Sequence, residues 1–210
     1  MTASSTSRTP RGSTGITLHA FRLNTAVNHI MFAGRRGRVY DRIVGLSGVQ
    51  PGDSVLDVGS SSGYLTFRLA AAAGPSGRVT GVDPSQPAIA YARRHARPGL
   101  VFTVGVAQDL GLPDASFDVV TCTLAMHHIP ARQRQAAFAE MYRVTRPGGR
   151  LLTADMAPLL RSGGRREQRA AAGAGPLPDL AAAVGYQVES AGKLPLLHYI
   201  VAVRPRESRG

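Results

Sequence analysis

The stretch that most restricts the fold is Val55-Leu56-Asp57-Val58 followed at once by Gly59-Ser60-Ser61-Ser62-Gly63. The first run reads as a strand and the small residues as a tight turn. Tyr64-Leu65-Thr66-Phe67-Arg68-Leu69 then has the apolar spacing of a helix. Strand, turn and helix in this order make a nucleotide cradle. Small residues let the backbone come close to a ligand, and the first turn of the helix offers N–H groups that have no partner within the helix.

The spacing also selects among nucleotides. Counting G-x-G-x-x-G from Gly59 puts Ser61 second and Tyr64 third, and a dinucleotide fingerprint needs a small third residue where the helix packs on the strand. Asp57 enters the loop as an acid, suited to a cationic amine rather than a pyrophosphate. The stretch resembles motif I of the class I S-adenosylmethionine-dependent methyltransferases, an acidic residue followed by G-x-G-x-G, with Ser61 in place of the central glycine. That resemblance implies S-adenosyl-L-methionine as cofactor and S-adenosyl-L-homocysteine as product.

Later landmarks agree. Arg78 to Asp83 reads as a second strand ending in an acid about 20 residues beyond the glycine loop, where a carboxylate can accept both ribose hydroxyl protons. Pro84-Ser85 then opens a helix. The plain alternative for Asp83 is a helix cap. Leu100 to Val104 is a third strand, and Gly105 to Asp118 resembles the "GDA…LP…D.SFD" signature of small-molecule methyltransferases of the ubiquinone and menaquinone group. Where that family has an adenine-binding acid this chain has Val106, so adenine falls to backbone groups of Ala107 and Gln108, or to Asp109. The cofactor-binding set implied is Asp57, Gly59, Ser60, Ser61, Gly63, Tyr64, Asp83, Pro84, Val106, Ala107, Gln108 and Leu124.

A fourth strand, Phe117 to Thr123, delivers Leu124-Ala125-Met126-His127-His128-Ile129-Pro130 at its carboxyl end, which in an open parallel sheet is the ligand side. Histidine suits proton transfer near neutrality. Ala131 to Val144 reads as an amphipathic helix stopped by Arg146-Pro147-Gly148-Gly149, before a fifth strand from Arg150 to Asp155. "RVTRPGGRLLTAD" resembles the R-V-L-x-P-G-G run of the same family. The catalytic candidates are His127, His128 and Asp155, with Asp155 supporting or replacing His127 as a base. Loop hydrogen bonding by the histidines and capping by Asp155 are the plain alternatives.

The rest of the chain sets the frame. With 210 residues, 43% of them apolar, one well-buried domain is expected. Residues 1–15 have almost nothing to bury and are expected to be disordered, residues 16–204 to form a single methyltransferase domain, and 205–210 a basic tail. Helices are expected within 18–47, the first over 18–32 and the second after a break at Gly34 to Arg38. Residues 156–175 read as a mobile connection over the cleft. Pro178 to Val184 reads as a short helix, and Tyr186 to Ser190 and Pro195 to Val203 as the antiparallel end of the sheet. The fold expected is therefore α/β, a doubly wound, seven-stranded, mostly parallel sheet with N-terminal covering helices.

Neither a secretory signal nor a membrane span is legible, so a cytoplasmic protein is expected. Cys122, the single cysteine, reads as a buried structural thiol, and no metal is called for. The formal charge of +12 comes from dispersed arginines without interleaved aromatics, which argues against nucleic acid as partner. The reading is methyl transfer to a small molecule, preferably to oxygen with a His base. The oligomeric state is left open. Two alternatives remain: a cofactor-binding protein of this fold without methyl transfer, and an RNA methyltransferase.

Overall fold

A computed structural model describes residues 35–156 and 177–206. The expected tail at 1–15, the helix over 18–32, the connection at 157–175 and the last residues of the basic tail lie outside the described residues.

The first described element is helix α1 (Arg36–Ser47), whose Val39, Tyr40 and Ile43 are buried. Its start corrects the expected break at 34–38. Gly37 sits in the first turn and is not among the glycines of positive φ, so it does not interrupt the helix there. Strand β1 (Ser54–Val58), helix α2 (Tyr64–Ala73), strand β2 (Arg78–Asp83), helix α3 (Gln86–Arg94) and strand β3 (Leu100–Val104) follow. Strand β4 (Phe117–Thr123) leads through a single 3₁₀ turn, Met126–His128, into helix α4 (Ala131–Val144). Strand β5 (Thr145–Met156), helix α5 (Leu177–Ala183) and the hairpin β6 (Gln187–Leu194) and β7 (Leu197–Val203) complete the described chain.

The seven strands form one sheet in the order β3-β2-β1-β4-β5-β7-β6. All pairings from β3 to β5 are parallel, whereas β7 runs antiparallel to both β5 and β6. The α/β class, the strand number and the antiparallel end are thus as expected. Strand β5 begins earlier than the sequence suggested, because Thr145 already pairs with Phe117. The Arg-Pro-Gly-Gly stretch is taken up as an irregularity before Arg150 pairs with Val119. The hairpin turn is Pro195-Leu196, so β7 starts after the proline rather than on it.

Both faces of the sheet are covered. Leu56, Val120, Phe138, Met141 and Leu151 fill one side beneath α4 and α5, while Ile43, Val55, Leu69, Ile89 and Leu152 fill the other beneath α1, α2 and α3. Cys122 is a free thiol fully buried in the first of these layers. Strand order reverses direction of travel between β1 and β4: from β1 the chain proceeds outward to β2 and β3, then returns to the other side. That switch point leaves a crevice at the carboxyl ends of the strands, where open α/β sheets bind ligands.

Candidate functional site

A cavity of about 260 Å³ lies along that crevice. Four strand ends supply its floor: Gly105 to Gln108 after β3, Asp83 to Ser85 after β2, Gly59 to Ser62 after β1, and Thr123 to Ala125 after β4. Arg36 and Tyr40 from α1 line it as well, with His128, Ile129 and Pro130 from the segment before α4.

The loop after β1 is held from two sides. Gly59 and Ser60 both donate their N–H groups to the carbonyl of Val82, at 2.8 and 3.0 Å. Gly59 has φ +78°, and a Cβ there would stand 2.3 Å from the Cβ of Ala125, so only glycine lets the β1 and β4 loops meet. Ser61 takes φ +49° although it carries a side chain. Its N–H donates to Asp83 Oδ2 at 2.9 Å, and the N–H of Ser85 donates to Asp83 Oδ1 at 2.8 Å. Asp83 therefore clamps the glycine loop to the start of α3 and is more than a cap. Burial pushes its carboxyl above the usual value, with these two N–H groups opposing.

Asp57 sits one level deeper. It lies opposite Thr121 in the β1–β4 pairing, so the Thr121 hydroxyl donates to Oδ1 at 2.9 Å, while Thr66 on the first turn of α2 donates to Oδ2 at 2.6 Å. Burial pushes the Asp57 carboxyl up to about 6, against the pull of the two hydroxyls. A cationic group in the cavity would favour its ionised form.

The remaining acid is placed by the β4–β5 pairing. Asp155 follows Ala154, the partner of Thr123, and its carboxylate reaches the neighbouring loop: the His127 N–H donates to Oδ2 at 2.9 Å and the His127 ring Nδ1 lies 2.6 Å from Oδ1. Burial works against the charge on Asp155, but the His127 ring and the N–H groups of Met156 and His127 outweigh it and hold the carboxyl below its usual value. His128 lies against the cavity, its ring centroid 3.9 Å from that of His127. Burial, and then His127 beside it, lower its proton affinity, so near neutrality it is an uncharged ring.

Of the residues expected from sequence, Asp57, Gly59, Ser60, Ser61, Tyr64, Asp83, Pro84, Val106, Ala107, Gln108, Leu124 and His128 all line the cavity. Gly63 does not. It precedes α2 with φ +87°, and a Cβ would strike Phe102 and Phe67 at 2.8 and 2.9 Å, so its part is to seat the helix. Asp109 is also absent from the lining, because it closes a turn with Val106. His127 and Asp155 form a pair beside the cavity rather than in its wall. Arg36, Tyr40, Thr123 and Ile129 are among the lining residues that the sequence did not single out. Thr123 could have been found as the last residue of β4 on the ligand side, but nothing in the sequence separates Arg36 from a solvated charge on a helix.

Three polar atoms of the lining residues are buried without a partner among the described residues: Ser60 Oγ, Thr123 Oγ1 and Arg36 Nε. Unsatisfied buried polar atoms carry a desolvation cost that a polar ligand removes. Two acids, two orphaned hydroxyls and a cation around one cavity fit a ligand with a ribose, an ammonium and a carboxylate.

Residues 55–149 match the family described as "Methyltransferase domain". The match runs from β1 to the start of β5 and takes in every strand end that borders the cavity. A demethylmenaquinone methyltransferase from Symbiobacterium thermophilum is 36% identical over 60% of this chain and 52% of its own length. A 27-O-demethylrifamycin SV methyltransferase from Amycolatopsis mediterranei is 38% identical over 56% of this chain and 44% of its own. The chain thus spans about half the length of the curated relatives it matches. The crystal structure of an S-adenosylmethionine-dependent methyltransferase from Aquifex aeolicus superposes with a TM-score of 0.66 over 79% of this chain and 89% of that one, at 18% identity, a likeness of fold. S-adenosylmethionine, the cofactor of that solved structure by its name, carries the three groups that the cavity's donors and acceptors suit.

Proposed function

We propose that the chain is a methyltransferase that uses S-adenosylmethionine to methylate a hydroxyl-bearing small molecule, with His127 as the base and Asp155 as its positioning residue. The observation that carries the reading is the double grip of Asp155 on His127, at ring and backbone. With Asp155 ionised and accepting Nδ1–H, the imidazole is fixed in the tautomer whose Nε2 lone pair can take a proton.

When bound, the cofactor supplies an electrophilic methyl group on a sulfonium, transferred by in-line displacement. The chain's own work is binding, alignment and proton removal. On this reading Asp83 accepts from the ribose hydroxyls, Asp57 faces the ammonium, and Ala107 and Gln108 present backbone groups to the adenine beside the Val106 side chain. On this reading the domain extends from residue 16 to residue 204, and α1 closes one side of the cavity through Arg36 and Tyr40.

The names of the two relatives, one acting on a demethylmenaquinone and one on a 27-O-demethylrifamycin SV, support a small organic acceptor. Removing the proton from a ring hydroxyl makes both its oxygen and the adjacent ring carbons nucleophilic, so one base serves either outcome. Oxygen is the preferred site because the base acts on the atom that then attacks.

The test is single-turnover methyl transfer to an acceptor found by screening hydroxyl-bearing aromatic compounds. His127→Ala is expected to lower the rate by about 10² to 10⁴, the range of general-base loss, and to leave S-adenosylhomocysteine affinity nearly intact. His128→Ala should act mainly on cofactor affinity. Equal rates in wild type and His127→Ala across about pH 6 to 9, where a histidine base reports, would overturn the base assignment.

A further inference from the structure

Arg36 is an arginine of unusual surroundings. It is the first residue of α1, yet it lines the cavity, and its Nε is buried with no hydrogen-bond partner among the described residues. Its guanidinium carbon lies 3.8 Å from the ring centroid of Tyr64 and 5.4 Å from that of Tyr40, and the two rings meet edge to face at 4.9 Å. Two aromatic walls therefore hold the planar cation in place, an arrangement that costs little further ordering when a ligand arrives.

Arg68 provides the contrast. It also stacks on Tyr64, at 4.1 Å, but its charge is answered by Asp41 at 3.1 Å. Among the described residues no carboxylate comes within ion-pairing distance of Arg36, and the fork of N–H donors on its guanidinium is the one best matched to a carboxylate.

Its place along the cavity indicates which anion. Asp83 and the Val106 to Gln108 turn occupy the β2 and β3 end. Arg36 packs instead on Tyr64, which opens α2 after β1, and on Tyr40, whose hydroxyl is close enough to Asp57 to feel its charge. Arg36 also hydrogen-bonds the Tyr40 side chain, so an acid and a cation with no carboxylate partner among the described residues stand at the same end of the cavity. Opposite charges so placed complement a zwitterion, an α-ammonium with an α-carboxylate.

Resting on the cofactor reading above, we infer that Arg36 binds the α-carboxylate of the cofactor's amino-acid tail, held in its binding pose by Tyr40 and Tyr64. The covering helix is then part of the binding site, since its first residue joins α1 to the ligand.

Calorimetric titration of the full chain with S-adenosylhomocysteine, and with S-adenosyl-3-thiopropylamine, which keeps the amine and lacks only the carboxylate, tests this. Wild type should prefer the carboxylate ligand by about 10- to 150-fold, the range of a charge-assisted hydrogen bond. Arg36→Met should lose most of that preference through weaker S-adenosylhomocysteine binding alone, with the decarboxylated ligand unchanged. Arg36→Lys, which keeps the charge but not the fork, should keep part of the preference and serves if the Met variant does not fold. Absence of a preference in wild type, its persistence in Arg36→Met, or equal weakening of both ligands would overturn the inference. Failure of both ligands to bind wild type would instead overturn the cofactor reading itself.

Discussion

Asp57 is where side-chain chemistry and ligand charge meet most closely. Its carboxyl is raised by burial to about 6 from a model-peptide value of 3.8, so between these limits the folded chain holds a proton that the unfolded chain has released. The sign for folding follows: this residue's contribution to stability falls as pH rises from about 4 to about 6 and then levels off. For a cationic ligand group the sign is opposite, because only the ionised carboxylate attracts it. S-adenosylhomocysteine affinity in wild type is therefore expected to drop as pH is lowered through about 6, and Asp57→Asn should bind more weakly at neutral pH with a flatter profile. Calorimetry across that range reads both, and an unaltered pH profile in Asp57→Asn would assign the titration to another group. The role of Asp57 was legible as a strand-end acid before a glycine loop. Its two threonine donors were not, since one comes from the paired strand and the other from the next helix.

Among the elements, β2, β3, β4 and α4 lie within the bounds their sequences suggest, because each is an apolar or amphipathic run bracketed by turn residues. The differences fall where tertiary pairing outweighs local signals: Gly37 inside α1, the bulged start of β5, and the 3₁₀ turn that presents His127 and His128. The loop between β1 and α2 carries its own departure. Ser61 occupies the left-handed region at φ +49°, which costs a side-chain-bearing residue about 1–2 kcal/mol. Glycine removes that strain and adds about 0.5–1 kcal/mol of unfolded-state entropy, so the balance favours glycine by a few tenths to about 1 kcal/mol. Ser61→Gly should raise the urea midpoint slightly and preserve or improve cofactor affinity, because the N–H that Asp83 accepts belongs to the backbone. A clear loss of affinity would show that the Ser61 hydroxyl itself contacts the cofactor.

At the scale of the whole molecule, the switch point between β1 and β4 gathers the end of every parallel strand from β3 to β5 on one edge. Sequence order alone implied this edge, which is why Asp57, Asp83, Asp155 and the histidines could be named together. Arg36 could not, since only the docking of α1 on α2 turns a helix charge into a cavity wall. The same holds for the basic composition. Arg68, Arg143, Arg146 and Arg150 pair with Asp41, Glu140 and Asp114, Asp118, and Glu189, while Arg204 donates to three backbone carbonyls near the end of α4. These five arginines are thus tied into the fold. Among the described residues no helix is long and apolar enough to cross a membrane. The most direct test of the site is calorimetric titration of S-adenosylhomocysteine into the full chain and its Asp83→Ala variant. Expected is saturable binding to wild type and a loss of about 10- to 150-fold in the variant, as for a buried charged hydrogen bond. Equal affinity in the two proteins, or no binding to wild type, would contradict the placement of the cofactor at this edge of the sheet.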